Sequence, residues 1–230
     1  NTGQTLPNSY TYYVTDSTGA CPESFADTVT LTINNAATVN VGVNDLICEG
    51  SAYTLSGTIG GGATSSVWTT SGSGTFNDSS LLAAIYTPSL ADIAMGNVTL
   101  TLTTDDPDGT GPCLPVVDAI ILTINPAAIV NAGTDAVICE GSPYTLSGSI
   151  GGGASSSLWT TAGTGTFNNT SLPTATYTAS AGDISSGTVQ LILTTNDPAG
   201  PCMAVSDTMV LTIHPAATVN EGIDNSICSS

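Results

Sequence analysis

There is no lysine and no arginine anywhere in the chain. Across 230 residues the ionisable groups are 14 Asp, 4 Glu and one His, besides cysteine and tyrosine, so the formal charge at pH 7 is -18 with nothing basic to offset it. That absence excludes whole classes of function. Nucleic-acid binding requires cationic side chains to displace phosphate counterions, and anionic membranes and phosphorylated ligands require the same groups. Salt bridges to Lys or Arg, Schiff bases and lysine crosslinks cannot form. Every carboxylate must be satisfied by water, by backbone N–H groups or by a metal cation, and the chain repels its own copies at neutral pH. Long hydrophobic runs are missing as well. No apolar stretch approaches the roughly 20 residues of a spanning helix, which predicts no membrane insertion. No segment has the pattern of a signal peptide, so the chain reads as starting after any targeting signal.

What is present is lopsided in the other direction. Thr (38), Ser (26) and Gly (25) dominate, aromatics are 5% and apolar residues 40%. The apolar residues come in short β-branched runs, while Lys, Arg, Gln and Glu are scarce or absent, so strands and turns are expected rather than helices or disorder.

The chain repeats itself. AATVNVGVNDLICEGSAYTLSGTIGGG from Ala36 returns as AAIVNAGTDAVICEGSPYTLSGSIGGG from Ala127, an offset of 91 residues that places Trp68 on Trp159, Tyr86 on Tyr177 and Cys48 on Cys139. A two-residue deletion after Asp197 then aligns Cys113 with Cys202. The segment from Ala26 to Ile33 matches Ser206 to Ile213, and a further copy starts at Ala216. The expected organisation is therefore the C-terminal strands of a preceding repeat (1–35), two complete repeats (36–125 and 126–215) and the start of a following one (216–230). This is a window on a longer tandem array. Asn125-Pro126-Ala127-Ala128 between flanking strands is a short, proline-stiffened junction, so the repeats are expected to stack end to end as a semi-rigid rod.

Within a repeat, Val98, Leu100 and Leu102 alternate with threonines, and Ile120, Leu122 and Ile124 form the inward face of a partner strand. Tyr53–Ile59, Ser66–Thr70 and Ala83–Thr87 read as further strands, with one short helical turn over 91–96. About seven short strands in 90 residues, with a Trp near the third, describe an all-β Greek-key sandwich of two sheets. The Trp side chains belong to its core. Gly60–Gly62 and Gly151–Gly153 lack the Lys and helix of a phosphate loop and read as flexible turns.

The run Asn131-Ala-Gly-Thr-Asp-Ala-Val-Ile-Cys-Glu-Gly141, the Tyr-Thr-Leu-Ser-Gly that follows, the Trp159 strand and the closing Asp207–Ile213 resemble the PKD-like and Ig-like tandem repeats of giant bacterial surface adhesins. Those arrays are of the kind found in gliding bacteria with type IX secretion. Tyr10–Cys21 resembles the penultimate strand of the same modules. The resemblance implies tandem Ig-like (PKD-like) β-sandwiches arranged end to end at a bacterial cell surface. It also implies O-glycans at Asp-Ser/Thr motifs, which makes Ser17, Thr28 and Thr208 candidate glycosylation sites.

Catalytic machinery is sparse. His214 occupies a position that is Asn34 and Asn125 in the other copies, so it reads as an interchangeable linker residue and the chain as no enzyme. No cofactor is demanded. Calcium is the one that the composition could hold, because Asp105, Asp106 and Asp108 put three carboxylates on one tight loop; Asp45 and Asp135 are further candidates. The six cysteines have no CxxC spacing and no neighbouring His, so disulfides in an oxidising exterior are the natural reading.

Two pairings stand open. One joins cysteines within each repeat, Cys48 with Cys113 and Cys139 with Cys202. In an Ig-type sandwich these would lie at opposite ends of strands about 23 Å long, whereas a disulfide tolerates Cα atoms no more than about 7 Å apart. The other is a cross-junction bond, Cys48 with Cys202, which leaves Cys21, Cys113, Cys139 and Cys228 to partners in adjacent repeats. The functional expectation is a stiff stalk or fibre in a long extracellular adhesive protein, its partners being adjacent repeats and neighbouring copies. The rivals are a repeat that binds glycan or protein ligands, and a spacer beside a secreted enzyme.

Overall fold

A computed structural model of the chain describes residues 8–14, 27–198, 200–217 and 222. It forms two compact units, Asn1–Ile124 and Asn125–Ser230. The first opens with an antiparallel hairpin of β1 (Asn8–Val14) and β2 (Asp27–Ile33). There follow β3 (Ala37–Asn40), β4 (Asp45–Cys48), β5 (Tyr53–Thr54), β6 (Thr58–Gly61), β7 (Ser66–Thr70), β8 (Thr75–Phe76), β9 (Ile85–Thr87), the short helix α1 (Leu90–Met95), β10 (Asn97–Thr104) and β11 (Val117–Asn125). The second unit runs through the same series: β12 (Ala128–Asn131), β13 (Ala136–Cys139), β14 (Tyr144–Thr145), β15 (Ser149–Gly152), β16 (Ser157–Thr161), β17 (Thr166–Phe167), β18 (Thr176–Thr178), α2 (Ala181–Ser186), β19 (Thr188–Thr195) and β20 (Ser206–His214). A four-stranded sheet of order β4-β11-β10-β7, or β13-β20-β19-β16, is packed against β5-β9-β8 and the β3-β6 pair, or their counterparts. These are Ig-like β-sandwiches.

The first strand of each unit changes sheets midway, and the sequence shows why. In the second unit β12 pairs antiparallel with β15, and four residues later β13 pairs parallel with β20. The bend needs a left-handed residue, supplied by Gly133 at φ +91°, and its unpaired N–H groups need acceptors. The Ala132 N–H donates to the Asp207 carboxylate at 2.8 Å, and Asp135 accepts from the Val210 N–H at 2.8 Å. In the first unit Gly42 makes the bend, Val41 donates to Asp118 at 3.0 Å and Ile121 to Asn44 at 2.8 Å. A carboxylate in the last strand thus holds the first strand where the ladder cannot.

Period-2 alternation fills the core. Val98, Leu100, Leu102, Ile120, Leu122 and Ile124 are buried and pack with Trp68, Leu55 and Tyr86. Their counterparts Val189, Leu191, Leu193, Met209, Leu211 and Ile213 surround Trp159, Leu146 and Tyr177. Burying a side chain of this kind contributes about 1.5–3 kcal/mol. The expected Trp positions are therefore confirmed.

Three local expectations are corrected. Tyr53–Ile59 is not one strand: β5 ends at Thr54, and β6 starts at Thr58 in a different sheet. Backbone bonds from Leu55 N–H to the Ala84 carbonyl and from Gly57 N–H to the Leu82 carbonyl carry the crossing. The glycine triplets enter a turn only at their third residue, Gly62 or Gly153. Gly60 and Gly61 lie inside β6, paired with Thr38 and Ala37, and a Cβ on Gly61 would sit 1.9 Å from the Ala36 carbonyl oxygen. Close backbone approach is what demands glycine there. Finally, Asn125 and Ala128 are themselves strand residues, so only Pro126 and Ala127 lie outside strands at that point.

Candidate functional site: the cysteine turns and the acidic loop

Cys48 and Cys139 each end a short strand and open a tight turn. Ser51 N–H donates to the Cys48 carbonyl at 3.0 Å and Ser142 N–H to the Cys139 carbonyl at 3.1 Å, with Gly50 and Gly141 left-handed between them. In the second unit the residue after the cysteine grips the chain leaving the domain. The Glu140 N–H donates to the His214 carbonyl at 2.8 Å, and the Glu140 carboxylate accepts the Ala216 N–H at 3.1 Å. His214 therefore contributes its backbone here, at an exposed strand end.

The cysteines differ in state. Cys48 and Cys202 are each disulfide-bonded. Cys113, half-buried, and Cys139, exposed, carry free thiols. Neither intradomain pairing, Cys48 with Cys113 or Cys139 with Cys202, is therefore formed. Cys21 and Cys228 lie outside the described residues. Cys202 is 2% exposed, with its Sγ 3.6 Å from the Asn125 carbonyl oxygen; Cys113 lies in the equivalent place, 3.8 Å from that of Asn34. Desolvation pushes the Cys113 thiol up in pKa, and the nearby Asp108 and Asp106 carboxylates push it further. That favours the thiol over the reactive thiolate.

The acidic loop uses its carboxylates on the chain itself. Asp105 accepts from the Thr64 hydroxyl and from the N–H groups of Ser65 and Thr64 at 3.0 and 2.9 Å, which lowers its pKa to about 2. Asp106 accepts from the N–H groups of Asp108 and Gly109. One oxygen of Asp108 accepts from Asn34 Nδ2 and the Cys113 N–H, and the other is buried without a partner. Asn196, the counterpart of Asp105, makes the same two backbone contacts, to Ser155 and Ser156 N–H at 2.9 Å each. A neutral amide makes the same two backbone contacts, so loop closure accounts for the acid at position 105. Among the described residues no group of three or more His, Cys, Asp or Glu side chains could hold a metal ion. Asp45 accepts from the Tyr53 hydroxyl at 3.1 Å, and Asp135 serves the strand bend.

Thr28 and Thr208 are exposed strand residues; Ser17 lies outside the described residues. The sequence reading passed over a carboxylate with more structural weight than any of these. Asp92 and Asp183 are buried at 1% and 3% exposure. Asp92 accepts from the Tyr86 hydroxyl at 2.8 Å and from Ser73 and Ser89 N–H at 2.9 Å each; Asp183 has the same partners in Tyr177, Thr164 and Ser180. Burial pushes the Asp92 pKa up, but these donors outweigh it and bring it to about 2. Ser89-Leu-Ala-Asp92 and Ser180-Ala-Gly-Asp183 are capping boxes, so the Ser-x-x-Asp spacing was the available signal.

No protein-family model matches the chain, and no curated protein matches it. Among solved structures, the insect immune protein hemolin resembles it with a TM-score of 0.52 at 13% identity, over 89% of this chain and 56% of that one. Drosophila N-cadherin domains EC1-4 match with a TM-score of 0.43 at 13% identity, over 91% and 58%. Extracellular cadherin domains 3-6 of protocadherin gamma B2 match with 0.42 at 16%, over 92% and 60%. The chain thus spans less than two thirds of the length of each. The hemolin likeness shows the Ig-like fold.

Proposed function

We propose that this chain is part of an extracellular structural and adhesive array, a stiff stalk or fibre of tandem Ig-like repeats in a long bacterial surface protein, with no catalytic role. The repeats run 36–125 and 126–215, flanked by parts of a preceding and a following repeat. In this reading Cys48 is bonded to Cys202 across the junction, and Cys113 and Cys139 await the same bond with adjacent repeats. The state of the cysteines carries the proposal. Equivalent positions are oxidised in one repeat and free in the other, which is the pattern of a bond made between successive repeats. Sugar attached to exposed Thr28 would suit the same exterior setting.

Electron micrographs of the chain, before and after reduction, test this. Short rods that become bent or variable on reduction are the expected result; particles equally flexible in both states would contradict it. The second reading, ligand binding by the repeats, has one observation behind it: an open groove of about 560 Å³ lined by Leu158, Thr160, Ser171, Thr194 and Asn196. Its size and hydroxyl lining suit a sugar. Specific capture on a glycan array, lost in Leu158→Asp, would favour it.

A further inference from the structure

We infer that the outer face of the four-stranded sheet is a lateral self-association surface, on which repeats of a second copy of this chain lie. The inference deepens the fibre reading and rests on it for the idea that copies run side by side. The cysteine pairing can fail without touching it.

The argument starts from where the charges are. All charged carboxylates are uncompensated by Lys or Arg, so a contact that buries one against another copy leaves a charge without a partner and is strongly disfavoured. In the first unit the only acidic residues in the four strands are Asp45 and Asp118, which alternate in phase with the buried Ile47 and Ile120. The opposite phase, facing outward, has none. It presents Leu46, Val67, Val117 and Ile121, exposed at 43%, 44%, 64% and 46%, around the threonines of β10. Register places Thr103 between Val67 and Val117, Thr101 between Thr69 and Ala119, and Thr99 beside Ile121. The second unit repeats the property: Val137 and Leu158 are exposed at 63% and 48%, and Gln190, Ile192 and Val210 take the outward places without a carboxylate.

This surface suits its own copy better than another ligand. It offers no charge to attract an ion or a charged partner, and its methyl and hydroxyl groups can meet like groups without leaving a buried charge unpaired. Strands of four, nine, eight and five residues, about 4.8 Å apart and rising about 3.3 Å per residue, give roughly 410 Å² per repeat. Each repeat thus offers about half of the roughly 800 Å² that each partner contributes to a stable interface, which suits a weak, reversible contact. The sheets on the opposite side have strands of only two to four residues and are narrower.

Sedimentation of the full chain, with Cys113 and Cys139 alkylated so that the existing disulfide is untouched, tests the assignment. Raising salt from about 0.01 M to about 1 M shortens the screening length from about 30 Å to about 3 Å, and should strengthen reversible association about tenfold or more as like-charge repulsion fades. Ile121→Asp and Val117→Asp should each weaken association about tenfold or more at high salt. Leu90→Asp on α1, where the side chain is 84% exposed and the added charge identical, should not. Should Ile121→Asp fail to fold, Val117→Asp at the strand start decides. A chain that stays monomeric at every salt concentration, or one that Leu90→Asp weakens as much as Val117→Asp, overturns the assignment.

Discussion

The two repeats hold the same core with different margins, and the differences separate what the fold needs from what it tolerates. Trp159 Nε1 donates to the Pro173 carbonyl at 3.1 Å. Trp68, in the same place, has its Nε1 buried without an acceptor. Asp105 and Asn196 close the same loop by charge in one unit and by amide in the other. The groups that do not vary are those that take up backbone N–H groups the ladders leave over: Asp92 with Asp183, and Asp118 with Asp207. Cysteine state follows neither pattern. Cys113 and Cys202 have matching carbonyl neighbours, yet one is free and the other oxidised, so local geometry does not decide oxidation.

The largest effect should come from removing an invariant group. Asp92→Ala removes the acceptor of the Tyr86 hydroxyl, which keeps its bond from Thr70, and of two partly buried N–H groups, and should cost the first unit about 3 kcal/mol or more. Urea unfolding should show that unit melting early while the second keeps its midpoint, with Asp183→Ala producing the reverse. A single shifted transition for both would mean that the units do not unfold separately.

The tryptophans sharpen the comparison. Trp159→Phe loses a hydrogen bond that Trp68→Phe does not, so at equal packing loss the second unit should be hurt by about 1 kcal/mol more. Equal costs would show that the Trp159 bond adds nothing net.

Acid should then distinguish the loops. The Asp105 pKa is lowered in the folded state to about 2, so its stabilisation is present above the ordinary carboxylate range and is lost as pH falls from about 4 towards 2. Asn196 has no such dependence. Asp105→Asn should leave the melting temperature at pH 7 unchanged and flatten the acid side of the first unit's stability curve. An unchanged acid limb would assign that sensitivity wholly to Asp92 and other carboxylates. Smallest of all, millimolar calcium should shift the first unit no more than the second, because each carboxylate of its loop is already held by a backbone N–H and no three of them converge on one point. A selective stabilisation that Asp106→Asn abolishes would restore the loop as a metal site.

Much of the fold was legible in the sequence because β-sandwich burial follows alternation. Val98-Thr-Leu-Thr-Leu102 and Ile120-Ile-Leu-Thr-Ile124 name their inward faces, and repetition of the Trp and Tyr positions marks the core twice. What alternation does not carry is the path of the first strand. Its change of sheet at Val41–Asn44 is fixed by an N–H reaching Asp118, 77 residues away, and no local pattern announces that contact. The acidic loop shows a related limit. Three carboxylates close in sequence resemble a ligand set, but each finds a different backbone donor, and only the structure shows where the oxygens are spent. Asp92 was overlooked although its Ser-x-x-Asp box repeats, since burial of a charge is invisible until the Tyr86 hydroxyl is seen beside it.

The central claim is tested most directly by mapping the cysteines of the native chain. Alkylation under non-reducing conditions, followed by pepsin or Asp-specific cleavage and mass spectrometry, suits a chain that trypsin cannot cut. The account predicts one crosslinked peptide pair containing Cys48 and Cys202, with the alkyl label on Cys113 and Cys139. A Cys48–Cys113 or Cys139–Cys202 peptide, or label on Cys48 and Cys202, would contradict it.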